Sequence, residues 1–344
     1  MSESKYAAAG VDLDAGKRAT DLMKSAVKAT YNKHVLAGLG AFGGLFSAKS
    51  FGELSDPVLV ASTDGVGTKT RVAARLNRWD TIGHDIVNHC INDILVQGAT
   101  PLFFLDYVAS SKLDPEQIAT VVRGIAGACQ AAGAALLGGE TAEMPGIYQA
   151  GELDLVGTIV GIVDREKIID GSRIRFGDKI LALPSSGLHT NGFTLARSAL
   201  ADESWIDPIP ELGQQKIGDI LLSPHRSYLP QISRLLEVGV DIHGLAHITG
   251  GGVIDNLPRI LPADCGANIE KGSWEIPPIF ELIQRNAEIS DLEMFNVFNM
   301  GMGMLVIVDE ETESLIRRTI GSEYAVVGEI VPGNQKVSVN GIQA

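Results

Sequence analysis

The sequence predicts two α/β domains, each a mixed β-sheet backed by helices. Three observations carry this expectation. The chain has 344 residues, more than one hydrophobic core ordinarily serves. Short apolar runs alternate with longer stretches of helical period. A polar segment, 164–178, interrupts them near the middle, which sets the expected domains at 1–170 and 171–344.

Composition narrows the class. The chain is 45% hydrophobic and 20% charged, the balance of a globular protein, and its 39 glycines fall in clusters between apolar runs. A net charge of −14 argues against a nucleic-acid partner, which needs a basic surface. Phosphate ligands stay open, because a bound cation can supply positive charge locally. Cys90, Cys129 and Cys265 lie far apart with no C-x-x-C pair, which fits a reducing compartment. Met1–Lys5 shows no apolar signal region, and no run reaches the roughly 18 apolar residues of a membrane span. The expectation is a cytoplasmic protein without a membrane partner.

Residues 14–32 read as an amphipathic helix with Asp14 at its N-cap. Gly38–Gly44 then matches G-x-G-x-x-G, but a helix precedes it and a strand follows, the reverse of a dinucleotide fingerprint. A near match to a P-loop over Gly43–Ser50 fails because Ala48 replaces the second glycine. Gly38, Gly40 and Gly43 belong either to a flexible surface loop or to one that closes over a polyphosphate through backbone N–H groups.

The apolar run Val58–Ala61 reads as a buried strand, and it ends in Asp64-Gly65-Val66-Gly67-Thr68-Lys69. Gly65 and Gly67 let the backbone bend and approach a ligand. Asp64 offers a hard oxygen ligand for a cation such as Mg²⁺, and Thr68 and Lys69 offer donors to a phosphate; the alternative is an ordinary strand-to-helix turn, where Gly and Asp are expected. Residues 80–97 form the strongest helix, capped by Asp80, with Ile82, Ile86, Val87, Cys90, Ile91, Ile94 and Leu95 at helical spacing. Asp93 either shares a wet face with Asp85 or serves as a ligand; its neighbour Asn92 favours the second. Leu102–Ala109 reads as a strand containing Asp106, and Asp114-Pro115 starts a helix to about Ala132.

The strand 134–137 ends in Gly138-Gly139-Glu140-Thr141-Ala142-Glu143, the same grammar as the first motif. Two strands of one sheet ending this way would bring Asp64 and Glu140 to a shared pole, within reach of Asp93. Leu153–Val163 is the last strand of the first half. In the second half the strand Lys179–Leu183 leads into Ser185-Ser186-Gly187-Leu188-His189-Thr190-Asn191-Gly192, ahead of a helix from Thr194. Hydroxyls and glycines before a helix N-terminus make an anion site or a capped turn. Ser223-Pro224 is expected to cap a helix over 224–238. His247-Ile248-Thr249-Gly250 repeats the anion-ready pattern, and Met300, Met302 and Met304 read as core filling.

Taken together, Asp64–Lys69, Asn92-Asp93, Gly138–Gly146, His189–Gly192 and Thr249–Gly252 resemble the phosphoribosylformylglycinamidine cyclo-ligase (aminoimidazole ribonucleotide synthetase) family, over nearly the whole chain from Ala9–Asp12 onward. The wider superfamily uses ATP without a P-loop. His247 stands where some relatives look to carry an acid, so no metal is assigned to it. The resemblance implies a homodimer whose first domains share a β-barrel, with the active site at the interface. It also implies a ligase of purine biosynthesis that closes formylglycinamidine ribonucleotide to aminoimidazole ribonucleotide with ATP and Mg²⁺.

On this basis Asp64, Asp93 and Glu140 are the expected metal ligands. Lys24, Lys69, Gly38, Gly40, Gly43, Gly65, Gly67, Thr68, Gly138 and Gly139 are expected around ATP. Ser185, Ser186, Gly187, Thr190, Gly192, His247, Thr249 and Gly250 are expected around the substrate. Lys69, His189 and Asn191 are the expected catalytic groups. A small-molecule kinase of the same superfamily and a non-catalytic nucleotide-binding subunit remain the alternatives.

Overall fold

Periodicity and breakers lay out the elements of a computed structural model that describes residues 13–342. The start of the resemblance at Ala9–Asp12 lies outside the described residues. The chain divides into two units, one of residues up to 94 with 99–167, the other of 95–98 with 168 onward.

The first unit holds α1 (Leu13–Ala29), the short strands β1 (Val35–Ala37) and β2 (Leu45–Phe46), β3 (Pro57–Gly65), α2 (Lys69–Leu76), α3 (Ile82–Leu95), β4 (Thr100–Ser110), α4 (Pro115–Ala131), β5 (Ala135–Glu143) and β6 (Leu153–Asp164). β3–β6 form one sheet in the order β3-β6-β4-β5. Only β4 and β5 run parallel. Asp114 caps α4, accepting from the N–H groups of Glu116 and Gln117, with Pro115 in the first turn. The apolar stripe of α3 is buried from Ile82 to Ile94.

Two glycines of β6 let α3 lie close to the sheet. A β-carbon on Gly157 would overlap the Phe104 ring and press on Ile86, and one on Gly161 would meet Ile94 at 2.5 Å. The opposite face of the sheet is open: Leu59 and Leu105 are 58% and 37% exposed there.

Three expectations need correction. β5 does not stop at Leu137 but continues through the glycines to Glu143, because β4 offers a partner as far as Ser110 after one bulge. β1 and β2 pair on either side of the 38–44 loop, so a strand as well as a helix precedes it. In the second unit no helix starts at Pro224. Residues 224–228 instead bury His225 and Tyr228, whose polar atoms bond Thr190, His247 and Pro184, and the helix begins at Leu229.

The second unit is a six-stranded sheet in the order β10-β12-β7-β13-β11-β14, built from β7 (Lys179–Pro184), β10 (Gly244–His247), β11 (Cys265–Glu270), β12 (Met302–Val308), β13 (Ala325–Pro332) and β14 (Val337–Asn340). β8 (Pro208–Ile209) and β9 (Gln215–Lys216) form a separate hairpin. Its helices are α5 (Phe193–Ala199), α6 (Ile217–Leu221), α7 (Leu229–Glu237), α8 (Gly252–Asn256), α9 (Pro278–Ala287), α10 (Asp291–Val297) and α11 (Glu313–Ile320). Ile232 and Leu235 of α7 pack with Leu245, Met304 and Val306 of the sheet and with Ile316 and Ile320 of α11. Met302 and Met304 are fully buried, as core filling requires.

Gly157→Ala should lower stability by about 1–3 kcal/mol, since neither the Phe104 ring nor α3 can retreat without opening the core. A urea unfolding midpoint reads this, and an unchanged midpoint would mean that α3 is not held at that distance.

Candidate active site

At one edge of the first sheet, Ser62 and Asp64 share cross-strand rows with Ile159 and Gly157, which puts both on the helix-covered face. α3 meets them with Asp85, His89 and Asp93, spaced four apart and therefore on one side of the helix. His89 Nε2 lies 2.9 Å from Asp64 Oδ2 and 3.7 Å from Asp93 Oδ2. The Ser62 hydroxyl donates to Asp93 Oδ2 at 3.0 Å, and the Gly65 N–H donates to Asp64 Oδ1 at 2.7 Å. His89 is buried, while the side chains of Asp64 and Asp93 keep 42% and 27% of their surface exposed. Two carboxylates thus lean from one buried imidazole toward solvent.

The electrostatics follow from this geometry. Burial alone would lower the His89 pKa, but the Asp64 bond and the charges of Asp93, Asp64 and Asp85 outweigh it and raise the pKa. Burial works to raise Asp64, yet the bond and charge of His89 and the Gly65 N–H hold it below the usual carboxylate range. Nearer the start of α3, Lys69 Nζ meets Asp85 Oδ1 at 2.8 Å with both side chains fully buried. Burial lowers the Lys69 pKa, and Asp85 restores only part of the loss.

The other edge of the sheet forms a cavity of about 430 Å³. Lys17 and Thr20 of α1, Asp106 of β4, and Gly139, Glu140 and Thr141 of β5 line it, above an apolar floor that includes Met23 and Val27. The Asp106 carboxylate lies across residue 139, where only glycine leaves it room. Loss of water pushes its pKa up to about 7. Glu143 accepts a 2.9 Å bond from the Leu113 N–H at the rim.

In the second unit, Ser185, Ser186 and Gly187 line a cavity of about 580 Å³ together with Lys216, Asp219 and Ser223. Behind this loop three buried histidines pack together. His189, in a left-handed conformation (φ 62°), accepts at Nε2 from the Ser186 N–H. Its ring stacks on His225 at 4.0 Å, and His225 Nε2 shares a 3.0 Å hydrogen bond with His247 Nε2. Thr190 bonds the other nitrogen of His225 at 3.3 Å.

The structure brings some expected residues together and separates others. Asp64 and Asp93 share His89, but Glu140 does not join them within one chain. β3 and β5 are opposite edges of the sheet, with β6 and β4 between them. Three strand spacings make this roughly 14 Å. The three expected metal ligands therefore do not form one cluster within the chain: Asp64 lies with Asp93, apart from Glu140. Lys69, expected at a phosphate, lies here as a buried ion-pair partner, and Asp85, read as a wet-face residue, is its buried mate.

The remaining residues fall as follows. Lys24 is exposed on α1, and Lys17 and Thr20 face the cavity instead. Gly38 packs on Tyr31, whose hydroxyl accepts from the Leu39 N–H, while Gly40 and Gly43 have open space around them. Gly67 adopts a left-handed conformation (φ 66°) that a side chain would strain, and Thr68 directly precedes α2. Gly138 lines the 430 Å³ cavity. Gly192 precedes α5 with the Phe298 ring against it. Asn191 lies beside Gly250, whose carbonyl accepts from Asn256, as Thr249 bonds the same Asn256.

Residue-by-residue reading missed His89, Lys17 and His225, placed Asp85 on a wet face, and noted Asp106 without assigning it. The spacing 85–89–93 was the available signal, since three polar residues four apart inside an apolar helix need partners.

Folded Asp106 titrates near 7, whereas an unfolded aspartate titrates near 3.9. Between these values the folded state holds a proton that the unfolded state has lost, so stability falls as pH rises through this window. Asp106→Asn removes that loss. Its denaturation midpoint should exceed the wild type's by more at pH 8 than at pH 4; equal differences would mean an unshifted carboxyl.

Residues 52–163 match the family model described as AIR synthase related protein, N-terminal domain, and residues 175–340 match the corresponding C-terminal domain. The chain is 49% identical over 336 residues to a Desulfitobacterium hafniense protein named phosphoribosylformylglycinamidine cyclo-ligase, covering 97% of this chain and 98% of that one. A Geotalea daltonii protein of the same name is 52% identical over 338 residues, covering 96% of each chain. Among solved structures, thiamine-monophosphate kinase from Stenotrophomonas maltophilia superposes with a TM-score of 0.67 at 18% identity, covering 94% of this chain and 97% of that one. The hydrogenase maturation protein HypE in complex with ATP superposes at 0.63 with 21% identity, covering 94% and 90%. These structures share the fold. No helix among the described residues is long and apolar enough to cross a membrane.

Proposed function

We propose residue roles on one premise: the chain belongs to the phosphoribosylformylglycinamidine cyclo-ligase family. It closes formylglycinamidine ribonucleotide to aminoimidazole ribonucleotide, a ligase step of purine biosynthesis, using ATP. An amide oxygen is a poor leaving group. Phosphorylating the formyl oxygen turns it into one, and the amidine nitrogen of the same molecule then attacks the activated carbon and closes the ring. Having both reacting atoms on one bound substrate supplies much of the rate. Phosphoryl transfer asks for alignment and charge neutralisation more than for a protein nucleophile.

The observation that carries the assignment is the convergence of Asp64 and Asp93 on His89 at an exposed edge. Two hard oxygen donors with solvent on their open side fit Mg²⁺, which keeps waters and takes one or two carboxylates. When bound, Mg²⁺ neutralises charge on the ATP phosphates. Asp64 and Asp93 would hold the ion, and His89 would orient them. Gly65, Gly67 and Thr68 would approach the phosphates at the start of α2. Glu140 lines a separate cavity and is proposed for the nucleotide rather than for this ion. In the second domain, residues 171–344, Ser185–Gly187 and Thr190–Gly192 would bind the substrate, with weaker support for His247–Gly250. His189 would handle the proton released at ring closure.

We also propose that the protein works as a homodimer in the cytoplasm, the first domains (1–170) facing each other. The open face of the first sheet supports the dimer: Leu36, Leu45, Leu59 and Leu105 are all exposed apolar residues of that unit. Sedimentation should give twice the chain mass, and Leu105→Glu should shift it toward one.

The direct test incubates the protein with ATP, Mg²⁺ and formylglycinamidine ribonucleotide. One phosphate should be released per imidazole formed, and neither without Mg²⁺. Asp64→Asn should cut turnover by roughly 10²-fold or more, as expected for losing several kcal/mol of charge stabilisation. Near-normal turnover by this variant would remove Asp64 from the metal site.

A further inference from the structure

Among the contacts between α3 and the β3–α2 segment, three polar ones run in register. Asp85 meets Lys69, His89 meets Asp64, and Asp93 meets Ser62. Successive rungs climb one turn of the helix while the partners step back along the chain from 69 to 64 to 62. The first rung is unlike the others. Both of its charges have no exposure at all, whereas the carboxylates of the second and third rungs are part-exposed. A lysine with no exposure touches no solvent-borne phosphate in this conformation. A buried ion pair is also weak support for stability, because apolar residues of similar volume often do as well or better in its place. What a buried pair does supply is register, since a helix slipped by one residue would leave both charges uncompensated.

We propose that Lys69 and Asp85 are positioning residues that lock α3 against the β3–α2 segment, so that Asp64 and Asp93 meet at a divalent-cation site. This rests on the reading of those two aspartates as cation ligands. Other contacts of α3 also bear on register, including the close approach of Gly83 to the α4 backbone at Val121 and Ile125, but that approach does not reach the β3–α2 segment. Ile86 and Ile94 pack over the bare backbones of Gly157 and Gly161, which sets how close α3 comes to the sheet. The lock acts at its two ends. Lys69 is the first residue of α2 and follows the left-handed turn at Gly67, so holding it fixes the exit of the Asp64 strand. Asp85 lies one helical turn before His89 and two before Asp93, so holding it fixes both.

The test uses the full chain and Mn²⁺ as a spectroscopic probe, with free ion followed by electron paramagnetic resonance. Lys69→Met/Asp85→Leu replaces the pair by apolar residues of similar size. It should melt cooperatively at a temperature near the wild type's. Its Mn²⁺ affinity should nevertheless fall by about 10–100-fold, the usual effect of losing a group that orients a metal ligand, with KM for ATP rising alongside. Asp85→Asn, which keeps shape and an acceptor for Lys69, is the second variant should the first fail to fold, and it should weaken Mn²⁺ in the same direction. Mn²⁺ affinity within twofold of wild type in a folded variant overturns the proposal. So does unchanged Mn²⁺ affinity with lost ATP binding, which would make Lys69 a direct phosphate contact. A wild-type protein that binds no Mn²⁺ overturns the cation-ligand reading itself, and this proposal with it.

Discussion

Lys69 and Asp85 give up all contact with water to reach each other. Removing one partner from such a pair costs roughly 3–5 kcal/mol, because the other charge is then stranded. The neighbouring features make sense around that constraint. Gly67 must turn left-handed so that α2 can begin where its first side chain reaches α3. Gly157 and Gly161 must lack side chains so that α3 can come close enough to receive it. The imidazole of His89, one turn further on, is then carried to Asp64 by the same rigid helix.

The first sheet has a polar group at each edge, and they differ in character. Asp64, Gly157, Asp106 and Gly139 occupy one cross-strand row. The two aspartates are thus two strands apart, roughly 10 Å. Asp64 has a raised-pKa histidine and a backbone N–H beside it and stays ionised. At Asp106 burial dominates and pushes the pKa up to about 7. Opposite environments push two identical side chains apart in pKa, the pattern that separates a charge-holding carboxylate from a proton-exchanging one. One sheet therefore offers a pair of carboxylates on a buried imidazole at one edge and, toward the other, a cavity lined by a carboxyl whose pKa is pushed up to about 7.

Periodicity exposed the elements whose burial is simple. The α3 stripe, the Asp114-Pro115 start of α4 and the methionine core of β12 were all legible, because each depends on local spacing or a single cap. Expectations failed where a partner distant in sequence decides. Strand β5 crosses two glycines only because β4 lies alongside it. The start of α7 is delayed because His225 and Tyr228 have partners 35 and 44 residues away. The site was legible as a set of motifs but not as an arrangement. Asp64 and Glu140 end similar phrases of sequence, yet strand order puts them on opposite edges, and no local pattern encodes strand order. His89 went unseen because a lone histidine within an apolar stripe is usually a core residue.

The burial of Lys69 also bears on how an acidic protein can handle a polyphosphate. The chain carries a net charge of −14, and the lysine that ends its glycine-rich motif is turned inward. ATP docking at the Asp64 edge, as proposed, would meet the carboxylates of Asp64 and Asp93 and not the Lys69 ammonium. Like charges at such distances cost kcal/mol even with partial solvent screening. Under the proposed assignment, positive potential would come without a basic side chain, from the N–H groups where α2 begins after Gly67 and from a divalent ion that Asp64 and Asp93 would hold. A lysine exposed at this position would compete with that ion for the same two carboxylates. Buried against Asp85, it leaves them free for the ion while still fixing where they stand.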